Sequence, residues 1–214
     1  MGELYRFDLK PLIDRYGVRV YLETGTGKAV SLRHALGYKF DKYISIDVDP
    51  DLIAESLYLK KKYDNLTFIQ GFSHDAIDKI LPKIKQDMPI LFFLDAHFPG
   101  ADFHKISYEK SIRHFKEDAF PLEKEINMIF KHRDVSRDIF IIDDLILYED
   151  GEYEHKLNGH KWEYGWLQEE LGLQTSSDFL YDKFRDTHIF EKSLKDQGYL
   201  VLLPILEEEK TNEE

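Results

Sequence analysis

"VYLETGTGKAV" (residues 20–30) is an apolar run that ends in an acid and passes at once into two closely spaced glycines, Gly25 and Gly27. The run begins slightly earlier, as "VRVYLE" (18–23), and a helix-like pattern, "AVSLRHAL", follows the glycines. A β-prone segment that empties through a glycine turn into a helix is the first half of a βα unit. Glycine has no Cβ and tolerates positive φ, so the backbone there can bend sharply and lie close to a ligand. In an open α/β sheet, the carboxyl ends of the strands are where ligands bind.

The pattern recurs outward from this stretch. "YISID" (43–47), "LTFIQ" (66–70), "ILFFLD" (90–95) and "IFIID" (139–143) are short β-rich runs. Between them "PDLIAESLYLKKKY", "SHDAIDKILPKIKQ" and "PLEKEINMIFKHR" carry apolar residues at helical spacing, with Pro50 and Pro121 suited to first-turn positions. Nearly continuous apolar strands imply a parallel sheet covered by helices on both faces. "THIFEKSLKDQGYLVLLPI" reads instead as two strands around a turn at Gly198, an antiparallel hairpin at a sheet edge. The expected fold is α/β, a Rossmann-like doubly wound and mostly parallel sheet with a C-terminal antiparallel hairpin. One domain is expected over 1–206, with insertions at about 96–120 and 145–177 and an acidic tail at 207–214. Insertions of that length act as lids or substrate-binding elements.

Composition narrows the partners. With 29 basic against 41 acidic residues the net charge is -12, which disfavours nucleic acid as a ligand. The chain has no cysteine, so disulfides, thiolate metal sites and cysteine nucleophiles are excluded. "MGELYRFDLK" lacks the form of a signal peptide, and runs such as "YLVLLPIL" are too short to span a membrane. A cytoplasmic enzyme acting on a small molecule is the expectation. Trp162, Tyr164 and Trp166 pack the second insertion against the sheet or against a second subunit, which would make a homo-oligomer, or else stack on a ring.

Three ligands compete for the glycine turn. A phosphate-cradling loop needs G-x-x-x-x-G-K-[ST], but position 22 is Leu and Ala29 follows Lys28. A dinucleotide fingerprint needs a third small residue where Val30 stands. An adenosyl-sulfonium ligand carries positive charge, so Glu23 ahead of the turn helps where it would repel a pyrophosphate. Asp47, closing the second strand, can accept both ribose hydroxyls. Asp47 and Asp49 can equally cap the helix starting near Pro50.

Through "LETGTGKA", "ISIDVDPDL", "FIQGFSHDAI", "FFLDAH" and "IFIIDD" the chain resembles the class I S-adenosylmethionine-dependent methyltransferases over about residues 18–147. The resemblance implies that Glu23, Thr24, Gly25, Thr26 and Gly27 hold the methionine part and backbone of the cofactor. It places the ribose on Asp47 and the adenine beside Ser73 and His74. Ala29 stands where many members have a third glycine. In the strand order of that family, Asp95, Asp143 and Asp144 meet beside the cofactor sulfur, as in the metal-dependent O-methyltransferases of the catechol and macrolide-sugar types. Oxygen ligands of this kind suit Mg²⁺, which would hold and activate an acceptor hydroxyl, such as that of a sugar. Acids at strand ends also cap helices or line a pocket without metal. His97 can serve as base, as ligand or as packing residue, and His188 is a second candidate base. An NAD-type oxidoreductase and a non-catalytic cofactor-binding protein remain as rivals.

Overall fold

The computed structural model describes residues 4–154 and 175–206. Trp162, Tyr164, Trp166, His155, His160 and the tail at 207–214 lie outside the described residues. Seven strands form one sheet: β1 (Val20–Thr24), β2 (Lys42–Asp47), β3 (Leu66–Gln70), β4 (Ile90–Leu94), β5 (Ile139–Ile142), β6 (His188–Ser193) and β7 (Tyr199–Pro204). Their order is β3-β2-β1-β4-β5-β7-β6. The first five are parallel, and β7 runs antiparallel to both β5 and β6. The expected hairpin is present, with β6 on the edge. Strand order reverses between β1 and β4, which opens a crevice at their carboxyl ends.

The helices are α1 (Leu9–Tyr16), α2 (Val30–Ala35), α3 (Pro50–Ser56), α4 (Ser73–Ile80), α5 (Tyr108–Phe115), α6 (Leu122–His132) and α7 (Asp178–Phe184). Alternation along each strand divides the core in two. Val20, Leu22, Phe92, Phe140 and Ile142 pack with Ile77, Ile126, Ile129 and Phe184 on one face. Tyr21, Leu91, Phe93, Ile139 and Ile141 pack with Leu9 and Leu32 on the other. Phe92 and Phe140 stack across β4 and β5 at 4.8 Å. Burying each such ring stabilises the fold by roughly 1.5–3 kcal/mol. No helix among the described residues is long and apolar enough to cross a membrane.

Local chemistry explains the boundaries. Asp8 accepts the Lys10 N–H at the start of α1, and Gly17 ends it in the left-handed region at φ 63°. Asp49 caps α3, and Pro50 takes its first position as the sequence predicts. Pro121 stands one place earlier than expected, as the cap residue of α6. The helix expected after Pro50 is broken: α3 ends at Ser56 and a 3₁₀ segment, Leu57–Lys61, continues it. The first insertion is partly regular, containing α5 and a 3₁₀ turn at Lys116–Ala119.

Candidate active site

The chain leaves β1 through a turn that only glycine permits. Gly25 has φ 83°, and a Cβ built there would sit 2.5 Å from the carbonyl oxygen of Asp95. The N–H groups of Gly25 and Thr26 bond the Ile46 carbonyl at 2.8 and 3.1 Å, so the turn leans on β2. Ala29 adopts φ 54°, which is why a glycine would be natural there. Asp47 braces the turn from the side. Its Oδ2 accepts the Gly27 N–H and its Oδ1 the Asp49 N–H, each at 2.8 Å. A carboxylate oxygen can accept more than one bond, so Asp47 retains capacity for ribose hydroxyls.

Glu23 lies beneath the turn. It is fully buried, accepting the Tyr21 and Ser45 hydroxyls at 2.6 Å each. Ser45 Oγ in turn shares a 2.6 Å hydrogen bond with Thr26 Oγ1. Glu23 is thus linked to Thr26 of the turn through the Ser45 hydroxyl.

At the ends of β4 and β5 the acids and His97 converge. The Asp95 N–H bonds the carbonyl and Oγ1 of Thr24, at 3.2 and 3.3 Å. The Asp143 N–H bonds the Leu94 carbonyl at 3.1 Å, and Asp144 turns away at φ 52°. His97 stands between two of them: Nε2 pairs with Asp144 Oδ2, and Nδ1 lies 3.8 Å from Asp95 Oδ1. Asp95, His97 and Asp144 each offer a ligand atom, all within 4.8 Å of one another. Asp143 is outside this trio, and its buried Oδ2 has no hydrogen-bond partner.

An open cavity joins these parts. Of the residues the sequence picks out, Gly25, Thr26, Gly27, Asp47, Ser73, Asp95 and His97 line it. Glu23, Thr24, His74, Asp143 and Asp144 do not line it. His74 stacks on Phe72 at 5.9 Å instead. His188 is at the other end of the sheet, with Nε2 2.9 Å from the Asp138 carbonyl.

No protein-family model and no curated protein matches the sequence. Solved structures do match in three dimensions. The O-methyltransferase of tomaymycin synthesis from Streptomyces achromogenes, solved with S-adenosylmethionine, has a TM-score of 0.53 at 12% identity, over 92% of this chain and 78% of that one. A Geobacter sulfurreducens methyltransferase gives 0.51 at 9% identity, over 96% and 81%. A Podospora anserina methyltransferase with bound S-adenosylhomocysteine gives 0.50 at 15%, over 91% and 75%. The chain has the class I methyltransferase fold.

Within this methyltransferase fold the cluster at β4 and β5 is electrostatically tense. Burial opposes charge on His97, but Asp144, Asp95 and Asp102 outweigh it and raise the imidazolium pKa to about 10. Burial lifts the Asp95 carboxyl to about 7 against the pull of His97. Burial, then Asp144 and Asp95, push Asp143 well above the usual carboxylate range. Burial acts on Asp144 too, yet His97 holds it below its ordinary value. Several acids facing one imidazole make a site that a divalent cation fits.

Two features of the methyltransferase fold here had no sequence signal. The segment after β4 crosses the cavity mouth, with Phe103 packed 3.1 Å from where a Gly27 Cβ would be and Lys105 bound to Asp49 and Asp51. Glu125 is buried on α6, and burial pushes its carboxyl up to about 7.

Proposed function

We propose that the protein is an S-adenosylmethionine-dependent methyltransferase that methylates an oxygen of a small, hydroxyl-rich molecule such as a sugar. The observation that carries this reading is the cavity whose lining brings the glycine turn and Asp47 together with Asp95 and His97. Asp95 and Asp102 in its lining suit an acceptor with several hydroxyls.

In the proposed reaction the acceptor hydroxyl loses its proton, and the methyl group passes from sulfonium sulfur to that oxygen, leaving a neutral thioether. Asp95, with its carboxyl poised near neutrality, takes the proton. His97, held as imidazolium by Asp144, steadies the negative charge on the oxygen. The turn at Gly25 and Gly27, braced by Asp47, aligns the donor with that oxygen. Asp95, Asp144 and His97 are the residues that would hold a divalent ion such as Mg²⁺, His97 only after giving up its proton, so that the ion would take the place of the imidazolium charge. When bound, such an ion lowers the pKa of a hydroxyl held on it.

Calorimetric titration with S-adenosylhomocysteine, with NAD as control, tests the reading. Micromolar binding of the first alone supports it and leads to an acceptor screen with and without Mg²⁺. Binding of NAD alone would return the chain to the oxidoreductases.

A further inference from the structure

The loop between β4 and α5 is held by its own hydrogen bonds. The Ala101 N–H bonds the Phe98 carbonyl at 2.9 Å, and the Lys105 and Ile106 N–H groups both bond the Gly100 carbonyl, at 3.1 and 3.2 Å. Ser111 Oγ, on α5, donates to the Pro99 carbonyl at 2.9 Å. The ring of Phe98 meets His97 at 5.2 Å and Tyr108 at 5.1 Å, both edge to face. Tyr108 in turn donates its hydroxyl to Asp102 Oδ1 at 2.7 Å. Asp102 lines the same cavity as Asp95 and His97, and these contacts fix it there.

Five carboxylates line the cavity: Asp47, Asp49, Asp95, Asp102 and Asp118. Four of them are answered from within the chain. Lys105 pairs with Asp49 and Lys124 with Asp118, each at 2.7 Å, His97 stands between Asp95 and Asp144, and Asp47 accepts two backbone N–H groups. Asp102 differs, because its hydrogen bond comes from a neutral phenol and no cation among the described residues pairs with it. Lys28, the other basic side chain of the lining, lies over the Phe103 ring, 5.9 Å from its centroid. A partly buried carboxylate among neighbours of its own sign is destabilised until a cation joins it. A hydroxyl of the acceptor does not supply that charge, whereas an ammonium group does, through the stronger N⁺–H···O⁻ bond.

We propose that Asp102 selects the acceptor by pairing with an ammonium group on it, so that the substrate class is an amino sugar or a comparable amine-bearing polyol. The hydroxyl that receives the methyl group is a separate group of the same molecule. A phosphorylated acceptor would bring a second anion against the same carboxylate and is rejected. This inference rests on the methyltransferase reading of the cavity and narrows its substrate.

The test saturates the chain with S-adenosylhomocysteine and titrates it by calorimetry with matched probes: glucosamine against glucose and a glucose phosphate, and streptamine against myo-inositol. Glucosamine and streptamine are expected to bind about tenfold more tightly than their neutral counterparts, the scale of a hydrogen bond to a charged group, and the glucose phosphate more weakly than glucose. Asp102→Asn keeps the shape and loses the charge. It is expected to abolish the preference for the amino probes while S-adenosylhomocysteine affinity stays within about threefold. Should Asp102→Asn not fold, Tyr108→Phe removes the hydroxyl that holds Asp102 and is expected to reduce the preference by about threefold. Equal binding of amino and neutral probes by the wild-type chain, or binding of none of them, overturns the proposal. A preference that survives intact in Asp102→Asn, or in Tyr108→Phe where that variant stands in, does so too. A fall of about tenfold in S-adenosylhomocysteine affinity in Asp102→Asn also overturns it, because the ammonium contact would then belong to the amino-acid end of the donor. A wild-type chain that binds no S-adenosylhomocysteine overturns the methyltransferase reading itself, an outcome distinct from a chain that binds it and does not discriminate the amines.

Discussion

Lys105 grips Asp49, with its Nζ 2.7 Å from one carboxylate oxygen and 2.6 Å from the other. The same Nζ is 2.7 Å from Asp51 Oδ2. The segment after β4 is thereby fastened to the start of α3 across the cavity mouth. Its root is fixed by Phe98, buried at φ 44° against His97, Tyr108 and Phe120.

Lys105→Met should release this strap. Asp51 and Lys105 are well exposed while Asp49 is 8% exposed, so the gain from the pairing is modest. Dissociation of S-adenosylhomocysteine, followed by stopped-flow fluorescence, should quicken by about three- to tenfold. Salt should speed release from the wild-type chain but not from Lys105→Met. Identical release rates would mean that the strap does not control exit.

Glu23 makes stability depend on pH. Burial lifts its carboxyl from an ordinary 4.5 to about 8, against hydrogen bonds from Ser45 and Tyr21. A raised carboxyl pKa means that the folded state favours the protonated form. Its stabilisation is full below pH 4.5 and is lost as pH rises through about 8. Glu23→Gln cannot ionise, so it should match the wild type in urea unfolding at pH 5 and exceed it by on the order of 3 kcal/mol at pH 9. A difference that is the same at both pH values would show that Glu23 is ionised throughout.

Two substitutions at the glycine turn should act with opposite sign. Ala29→Gly relieves a left-handed alanine and should stabilise the fold by about 1 kcal/mol, raising Tm by about 2–4 °C. Gly25→Ala drives a methyl group into the Asp95 carbonyl and should abolish S-adenosylhomocysteine binding. Normal binding by Gly25→Ala would refute the close approach.

The acids should report a metal through thermal stability. An ion bound only by the folded state raises stability by about 2.7 kcal/mol at a hundred times its Kd. Mg²⁺ or Mn²⁺ should therefore raise the Tm of the wild-type chain, and EDTA should reverse the rise. Asp95→Asn and Asp144→Asn should lose the effect, whereas Asp143→Asn should keep it. No rise with either ion would refute metal binding at this cluster.

The strands, their parallel sense and the final hairpin were legible because apolar periodicity and turn residues are local signals. So was the meeting of Gly25, Asp47 and Asp95 in one cavity, since each closes or follows a strand at the ligand end of the sheet. Orientation was less legible. Asp143 and Asp144 are adjacent in sequence, and neighbouring residues leaving a strand diverge to opposite faces, so both were assigned to a cluster that the geometry builds with Asp144 and His97. Glu23 shares its strand face with Tyr21, which took it under the turn rather than into the cavity. The partners of Lys105 stand more than fifty positions away along the chain, at separations of 56 and 54. Long-range pairing of this kind leaves no trace in local pattern.

The 2.5 Å between the Asp95 carbonyl and an imagined Cβ at Gly25 bears on how this site could be redesigned or inherited. The two loops mesh like gear teeth, one carrying the glycine turn and the other Asp95 and His97. A graft that swaps either loop alone would jam against its counterpart. Transplanting acceptor chemistry onto a related scaffold would therefore require moving both loops as a matched set, and natural drift at one would have to be answered by drift at the other.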